Sequence, residues 1–336
     1  MEKITSRRKF FAGIKPKAAL RDLSLLKAGR AAMGTRFEII LPRRLRSHLE
    51  AVHFSLDEVR RLEGLMTVFD ADSRISEVNR EAAETPVAVE RELIEIFELS
   101  LAVWEQTGGA FDITAGALWK LWGFSDREER VPSTQEIEAT LESVGSQYIE
   151  LEPTRRTVSF LRNGLTANFG GIGKGFALDK AAKMLQNSGL AEALLHGGHS
   201  SIYAFGDPTG SGRGWQVTIR HPLEPELNFA AVWLDSMGMA TSGAGERHFL
   251  SQGKRYGHVI DPRCGHPAEH HLSATALAPT AALSDALSTA FFIMSLDEVE
   301  AFCSKHPDFG AIIVPAVEDG DPPVNRFGIA TSCVDP

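Results

Sequence analysis

The sequence is poor in cysteine. Cys264, Cys303 and Cys333 are the only three in 336 residues, too few and too scattered for a disulfide framework or a thiolate zinc site. It also lacks a basic excess: 35 lysines and arginines face 44 aspartates and glutamates, a formal charge of −9. General affinity for a nucleic-acid backbone, which needs clustered cations to displace counterions, is thereby excluded. Long apolar runs are missing too, and no stretch reaches the roughly 18 residues of a membrane-spanning helix, so the chain reads as soluble with no transmembrane segment. Internal repeats, low-complexity tracts and linker-like composition are likewise absent. What is present is apolar material, 43% of all residues, which is ample for the buried core of a globular chain.

The amino terminus carries Ser6-Arg7-Arg8-Lys9-Phe10-Phe11, which resembles the start of a twin-arginine export signal. The rest of such a signal does not follow. It needs an apolar stretch of roughly 7–15 residues, and Lys15, Lys17, Arg21, Asp22 and Lys27 interrupt every candidate. Residues 1–30 therefore read as a flexible basic leader. A cytoplasmic location is the expectation, with export as the alternative.

From Ala32 to Leu41 the pattern reads as an early strand ending at Pro42. Apolar residues at Leu49, Val52, Leu56, Val59, Leu62 and Met66 recur at helical spacing, as do those between Glu92 and Gln106. Ser133 with Glu136 marks a further helix start, and Tyr148 to Leu151 with Thr157 to Leu161 suggests a hairpin around Pro153. Strand-like and helix-like segments alternate through the second half. One mixed α and β domain over residues 31–336 is the economical reading.

Two segments carry chemistry. Asn168-Phe169-Gly170-Gly171-Ile172-Gly173-Lys174-Gly175 leads into an amphipathic helix from Phe176 to Leu185. Glycines let backbone approach a ligand closely, and the free N–H groups and dipole of a helix start favour a phosphate, with Lys174 as an added positive charge. The alternative is a tight strand-to-helix corner. Asp285 and Thr289 lie four apart in an otherwise small and apolar helix, so both project from one face. A buried carboxylate needs a partner. Mg²⁺ is one, since it takes hard oxygen ligands, few carboxylates, and substrate phosphate; a helix-start carboxylate capping backbone N–H groups is the other reading.

Ala240-Thr241-Ser242-Gly243 and His258-Val259-Ile260-Asp261-Pro262-Arg263-Cys264-Gly265 read locally as a loop and then a strand running into a proline turn. Their order and spacing join those of the glycine turn, the Gly197-Gly198 pair, Met33-Gly34-Thr35 and the Asp285/Thr289 helix. Phe69-Asp70-x-Asp72-Ser73-x-Ile75-Ser76-x-Val78-Asn79 and Gly109-Ala110-Phe111-Asp112-Ile113-Thr114 add two further matches. As a set, from about Ala32 to Met294, these motifs resemble the ApbE-like family of FAD:protein FMN transferases.

That resemblance implies a single mixed domain of α+β class, of the ApbE-like, T-fold-related type, with a flavin cleft. It implies FAD as substrate and Mg²⁺ held by Asp285, Thr289 and the carbonyl of Gly173, which stands where the family usually has alanine. Met33, Gly170, Gly171, Lys174, Ser242, His258 and Asp261 match positions in or around the flavin-nucleotide pocket. The implied reaction moves FMN from FAD to a threonine or serine hydroxyl of an acceptor protein, a redox subunit, and releases AMP. Lys174 and the metal would neutralise phosphate charge, and His258, if neutral, would accept the hydroxyl proton; a histidine packed at a strand end is its alternative reading. Two positions depart from the family: Asn168 and His199 stand where aspartates are usual, which weakens the expectation of tight or paired metal binding. With those changes, hydrolysis of FAD to FMN and AMP, or plain FAD binding without turnover, are the alternative functions. The histidines at 196, 199, 266, 270 and 271 lack a fixed ligand spacing and are read as ordinary polar residues.

Overall fold

A computed structural model describes residues 24–125, 128, 130–224, 226–244, 248–317 and 322–335. The twin-arginine-like stretch from Ser6 to Phe11 lies outside the described residues. Strand β1 (Leu25–Ala32) turns back at Met33 and Gly34 into β2 (Thr35–Pro42). Both turn residues have positive φ, 52° and 68°, the geometry of a two-residue hairpin whose twist matches its strands. The strand expected from Ala32 onward is thus divided by a turn at Met33, and regular structure starts at Leu25, ahead of Arg30.

Helix α1 (Leu49–Met66) buries Val52, Leu56, Val59, Leu62 and Met66, the stripe its spacing predicts. It is followed by α2 (Arg74–Glu81), β3 (Val87–Ala88), α3 (Arg91–Gln106) and α4 (Gly116–Leu121). Ser133 and Glu136 form a reciprocal capping box at the start of α5 (Thr134–Leu141), satisfying two otherwise orphaned N–H groups. Strands β4 (Ile149–Glu152) and β5 (Thr157–Phe160) form the hairpin expected around Pro153. Then come α6 (Gly173–Asn187), β6 (Ala193–Gly197), β7 (Ser201–Phe205), β8 (Trp215–Arg220), β9 (Asn228–Leu234) and β10 (Met237–Gly243). The chain continues through β11 (His248–Ser251), β12 (Lys254–Gly257), β13 (His271–Ala278), α7 (Ala281–Ile293), α8 (Leu296–Lys305) and β14 (Gly310–Pro315). It closes with β15 (Asn325–Gly328), α9 (Ala330–Cys333) and β16 (Val334–Asp335).

Eight strands form the main sheet in the order β1-β2-β6-β7-β10-β13-β14-β15, every neighbouring pair antiparallel. Successive side chains along a strand point to opposite faces, and the core divides accordingly. Leu195, Ala276 and Ile313 join the helical side with α1, α3, α6 and α7, whereas Leu194, Leu277 and Ile312 meet Trp215, Val232 and Leu234 of β8 and β9. The fold is α+β, as expected. A third cluster gathers Leu118, Trp122, Phe124 and Ile137 of the α4–α5 region with Phe249 and Ile260.

Two local expectations are corrected. Ala240–Gly243 is not a loop but the end of β10, paired with β13 in the middle of the sheet. His258 to Ile260 is not a strand: β12 ends at Gly257, and only an isolated bridge joins Ile260 to Pro267. The amides of Cys264 and Gly265 turn back onto the Asp261 carbonyl, which is the proline turn expected there.

Candidate active site at the crossing of two helices

Helix α6 starts at Gly173, so Gly173, Lys174 and Gly175 form its first turn instead of the loop before a helix expected at Phe176. Ahead of it, the Asn168 side-chain oxygen accepts from the Gly170 amide at 2.8 Å, which fixes the glycine turn locally. The first-turn N–H groups of α6 lack helical acceptors, as at any helix start. One of them is used at once: the Gly175 amide donates to Oδ2 of Asp285 at 3.0 Å.

Asp285 is 5% exposed. Its Oδ1 accepts from the Ser201 hydroxyl at 2.6 Å, and the Lys174 ammonium lies 3.6 Å from Oδ2. A charge buried this deeply is costly unless paired and hydrogen-bonded, and here it is both. Asp285 does accept a helix-start N–H, but from the first turn of α6; at the start of its own helix, α7, the two carboxylate oxygens of Asp179 accept from the amides of Ala281 and Ala282, each at 2.8 Å. Asp179 was not legible as such, because its partners lie about a hundred residues away. Ser201, equally silent in the sequence, reaches Asp285 only because β7 is the neighbour of β10 beneath α7.

Burial pushes the Asp179 carboxyl up to about 7 against the pull of its two amide donors, with the Asp285 charge adding to the rise. Between its ordinary value of 3.8 and about 7, the folded chain holds a proton that the unfolded chain has released. Stability therefore falls as pH rises through that window, by at most about 1.4 kcal/mol per pH unit. In Asp179→Asn that contribution should vanish, leaving a flatter profile of urea midpoint against pH; an unchanged slope would contradict the assignment.

The glycine turn and α7 meet. A Cβ added at Gly171 would stand 3.5 Å from Thr289 Oγ1, so the turn passes directly over the Asp285/Thr289 face. Around this meeting point opens a cleft of about 440 Å³. Of the residues expected in the site, Gly170, Gly171, Lys174, Ser242, His258, Asp285 and Thr289 line it. Met33 and Gly173 line an adjoining cavity of about 170 Å³ that shares Phe69, Asn168, Gly170 and Lys174 with the cleft. Asp261 stands apart. Its carboxylate is taken by Arg263, with contacts of 2.8 to 3.1 Å, and Ile260 and Pro262 face the cleft in its place.

Phe111 and Thr241, from motifs that carry the resemblance, also stand on the wall, and Trp119, Ser200 and Ser288 join them without a signal in the sequence. Two hydroxyl pairs stand on this wall, Ser242 with Ser288 at 2.9 Å and Thr241 with Thr275 at 2.8 Å. Among the described residues no group of three or more His, Cys, Asp or Glu is placed to hold a metal. His196 and His199 stack at 4.4 Å, and the His196 ring, 3.2 Å from Glu38, is held below its ordinary range by burial. No described helix is long and apolar enough to cross a membrane.

Comparison with known proteins fits this geometry. The chain is 27% identical over 300 residues to the FAD:protein FMN transferase of Haemophilus influenzae, covering 86% of each chain. It is 31% identical over 284 residues to the FAD:protein FMN transferase of Treponema pallidum, covering 78% of this chain and 77% of that one. The crystal structure of the ApbE protein of Thermotoga maritima matches with a TM-score of 0.79 at 29% identity, over 90% of this chain and 97% of that one. A model of the ApbE family matches residues 33–313, from the turn after β1 into β14, and so takes in the glycine turn, the cleft and α7 together: this chain belongs to the ApbE family.

Proposed function

We propose that this protein transfers the FMN half of FAD to a serine or threonine hydroxyl of an acceptor protein and releases AMP. The observation that carries the reading is the buried Asp285, held at the mouth of the glycine turn beside Lys174 in a cleft of nucleotide size. The names of the relatives agree with it. A covalently held flavin is an electron carrier, so the acceptor we infer is a redox subunit.

The donor set suits Mg²⁺. Asp285 contributes one carboxylate, Thr289 a hydroxyl and Gly173 a carbonyl, all hard oxygens, and Asp285 already faces a cation in Lys174; few carboxylates plus substrate phosphate is how this ion is usually held. When bound, the metal supplies charge neutralisation at the diphosphate and polarises the phosphoryl oxygen. The α6 N-terminus and the Gly170–Gly171 turn orient the diphosphate, since backbone can approach it closely there; the amides of Gly170, Gly173 and Gly175 are already taken by Asn168, Phe169 and Asp285. Lys174 moves its charge from Asp285 onto the phosphate oxygens. His258, on the cleft wall, takes the proton of the acceptor hydroxyl. That oxygen bonds to the FMN phosphorus, the bond from this phosphorus to the bridging oxygen breaks, and the bridge leaves with AMP. Alignment and charge neutralisation account for most of the acceleration in such transfers.

Incubating the pure protein with FAD and Mg²⁺ tests the reading. AMP that appears only with an acceptor supports transfer; AMP formed in water alone indicates a hydrolase, and intact bound FAD a carrier. The departure at Asn168 is expected to be mild. Aspartate would keep the acceptor role toward the Gly170 amide and add a charge beside the cation, so Asn168→Asp should release AMP at an equal or higher rate. A collapse of the rate would show that the neutral amide is required.

A further inference from the structure

Two stretches that line the cleft are joined outside it by one side chain. His258, Ile260 and Pro262 form part of one wall, and Asp285, Thr289 and Ile293 of α7 form part of another. Arg263 links the two. Its Nε and Nη2 donate to the Asp261 carboxylate at 2.8 to 3.1 Å, and its own amide donates to Oδ1 at 2.9 Å. Its remaining nitrogen, Nη1, donates to Oε1 of Glu298 at 2.8 Å. The Glu298 carboxylate is shared, because its Oε2 accepts from the Ser295 amide at 2.7 Å and closes the capping box at the start of α8. Ser295 follows directly on Met294, the C-cap of α7.

That end of α7 is held from the sheet as well. Nε2 of His271, the first residue of β13, lies 2.8 Å from the Met294 carbonyl, which can only accept, so the ring hydrogen sits on Nε2. A third stretch of wall also meets the arginine. A Cβ added at Gly109 would stand 3.8 Å from Arg263 Cγ, and the chain runs on from there into Ala110 and Phe111, which line the cleft. A guanidinium suits such a junction, since its donors point in fixed directions and can grip two carboxylates at once. Ion pairs this open to solvent add little stability: the Arg263 side chain is 32% exposed and that of Glu298 44%. The arrangement fixes geometry more than it holds the fold together.

We propose that Arg263 is a positioning residue for the transfer: it pins the turn that follows His258 to the end of α7, and so fixes where His258 stands relative to the Asp285/Thr289 face. The inference rests on the transfer reading above, which gives those two groups a common substrate. FAD binding, assigned to the glycine turn and Lys174, does not depend on the tie.

Two measurements on the full-length protein test it. In the first, AMP release from FAD with Mg²⁺ and a pool of synthetic single-threonine peptides should lose about tenfold or more in kcat for Arg263→Ala and for Glu298→Ala, with KM for FAD within about twofold, as small misplacements at a reacting centre do. Arg263→Lys should fall with them, because an ammonium keeps the charge without spanning both carboxylates. The control is Arg130→Ala, which breaks the same kind of contact, 2.8 Å to the capping-box Glu136 of α5, and should leave kcat unchanged. Wild-type kcat in the Arg263 variants, or an equal loss in Arg130→Ala, overturns the proposal. In the second, hydrogen exchange followed by mass spectrometry should show that Glu298→Ala, a change in α8, speeds exchange at Gly265 and Ala268, whose amides bond to the Asp261 and Val259 carbonyls within the turn. Unchanged exchange there overturns the tie. Failure of the wild type to bind or cleave FAD would instead strike the transfer reading, and the exchange result is independent of it.

Discussion

Replacing Asp285 by asparagine should lower metal-dependent AMP release from FAD by roughly 10²–10³-fold or more, the range seen when one preorganised charge-stabilising group is removed. The substitution is chosen to remove charge and little else. Its amide oxygen can still accept from the Gly175 amide, and the Ser201 hydroxyl, which now donates to the carboxylate, can rotate to accept from the new NH₂. Thermal unfolding should therefore shift little. Asp285→Ala should abolish release as well, but it leaves two buried donors without partners at about 1–3 kcal/mol each, mixing instability with lost chemistry. Lys174 gives an internal check. With its counter-ion at 3.6 Å gone, the ammonium is free for the diphosphate in the absence of metal, so FAD affinity without Mg²⁺ should hold or rise in Asp285→Asn while turnover collapses. Full turnover, measured by chromatography of AMP across a Mg²⁺ titration, would remove α7 from the metal site altogether.

What could be read without coordinates follows from how local each signal is. The helical stripe of α1, the Ser133 capping box and the Asp285/Thr289 face depend on residues three or four apart, and all three appear as expected. The approach of α7 to the glycine turn follows from the resemblance carried by an ordered set of motifs, not from spacing, and the structure brings the two together at Gly171 and Thr289. Ala240–Gly243 misled because Thr, Ser and Gly in a row look like loop chemistry. In the sheet those hydroxyls are paired with others across β13 and α7, so polar side chains are tolerated in a central strand. Asp261 stands beside the cleft, between Ile260 and Pro262 of its wall. Two residues later stands Arg263, which claims its carboxylate and reaches on to Glu298, a contact set by turn geometry that no spacing rule reveals. Asp179, Ser201 and His271 act through partners distant in the chain, and nothing local marks them.

Gly175→Ala should be among the most damaging single-methyl changes in the protein, even though alanine is the better helix former. An added Cβ would stand 2.1 Å from the Ala281 carbonyl oxygen, 2.4 Å from its carbon and 2.7 Å from the Ala282 Cα. All three are backbone atoms, so no side chain can swing aside. Either α6 and α7 separate or the first turn of α7 shifts, and that turn is the one Asp179 grips. Overpacking in a tight core usually costs 1–3 kcal/mol, and backbone against backbone should place this variant at about 3 kcal/mol or more. Gly64, inside α1 with open space where its Cβ would go, is the matched control: there the same substitution should stabilise by about 0.5–1 kcal/mol through helix propensity alone. Urea midpoints of the two variants should move in opposite directions. If both rise, the close crossing of α6 and α7 is wrong. If Gly175→Ala folds at reduced stability, its AMP release should fall further than its folded fraction, because the Gly175 amide that holds Asp285 would have been displaced from the carboxylate it positions.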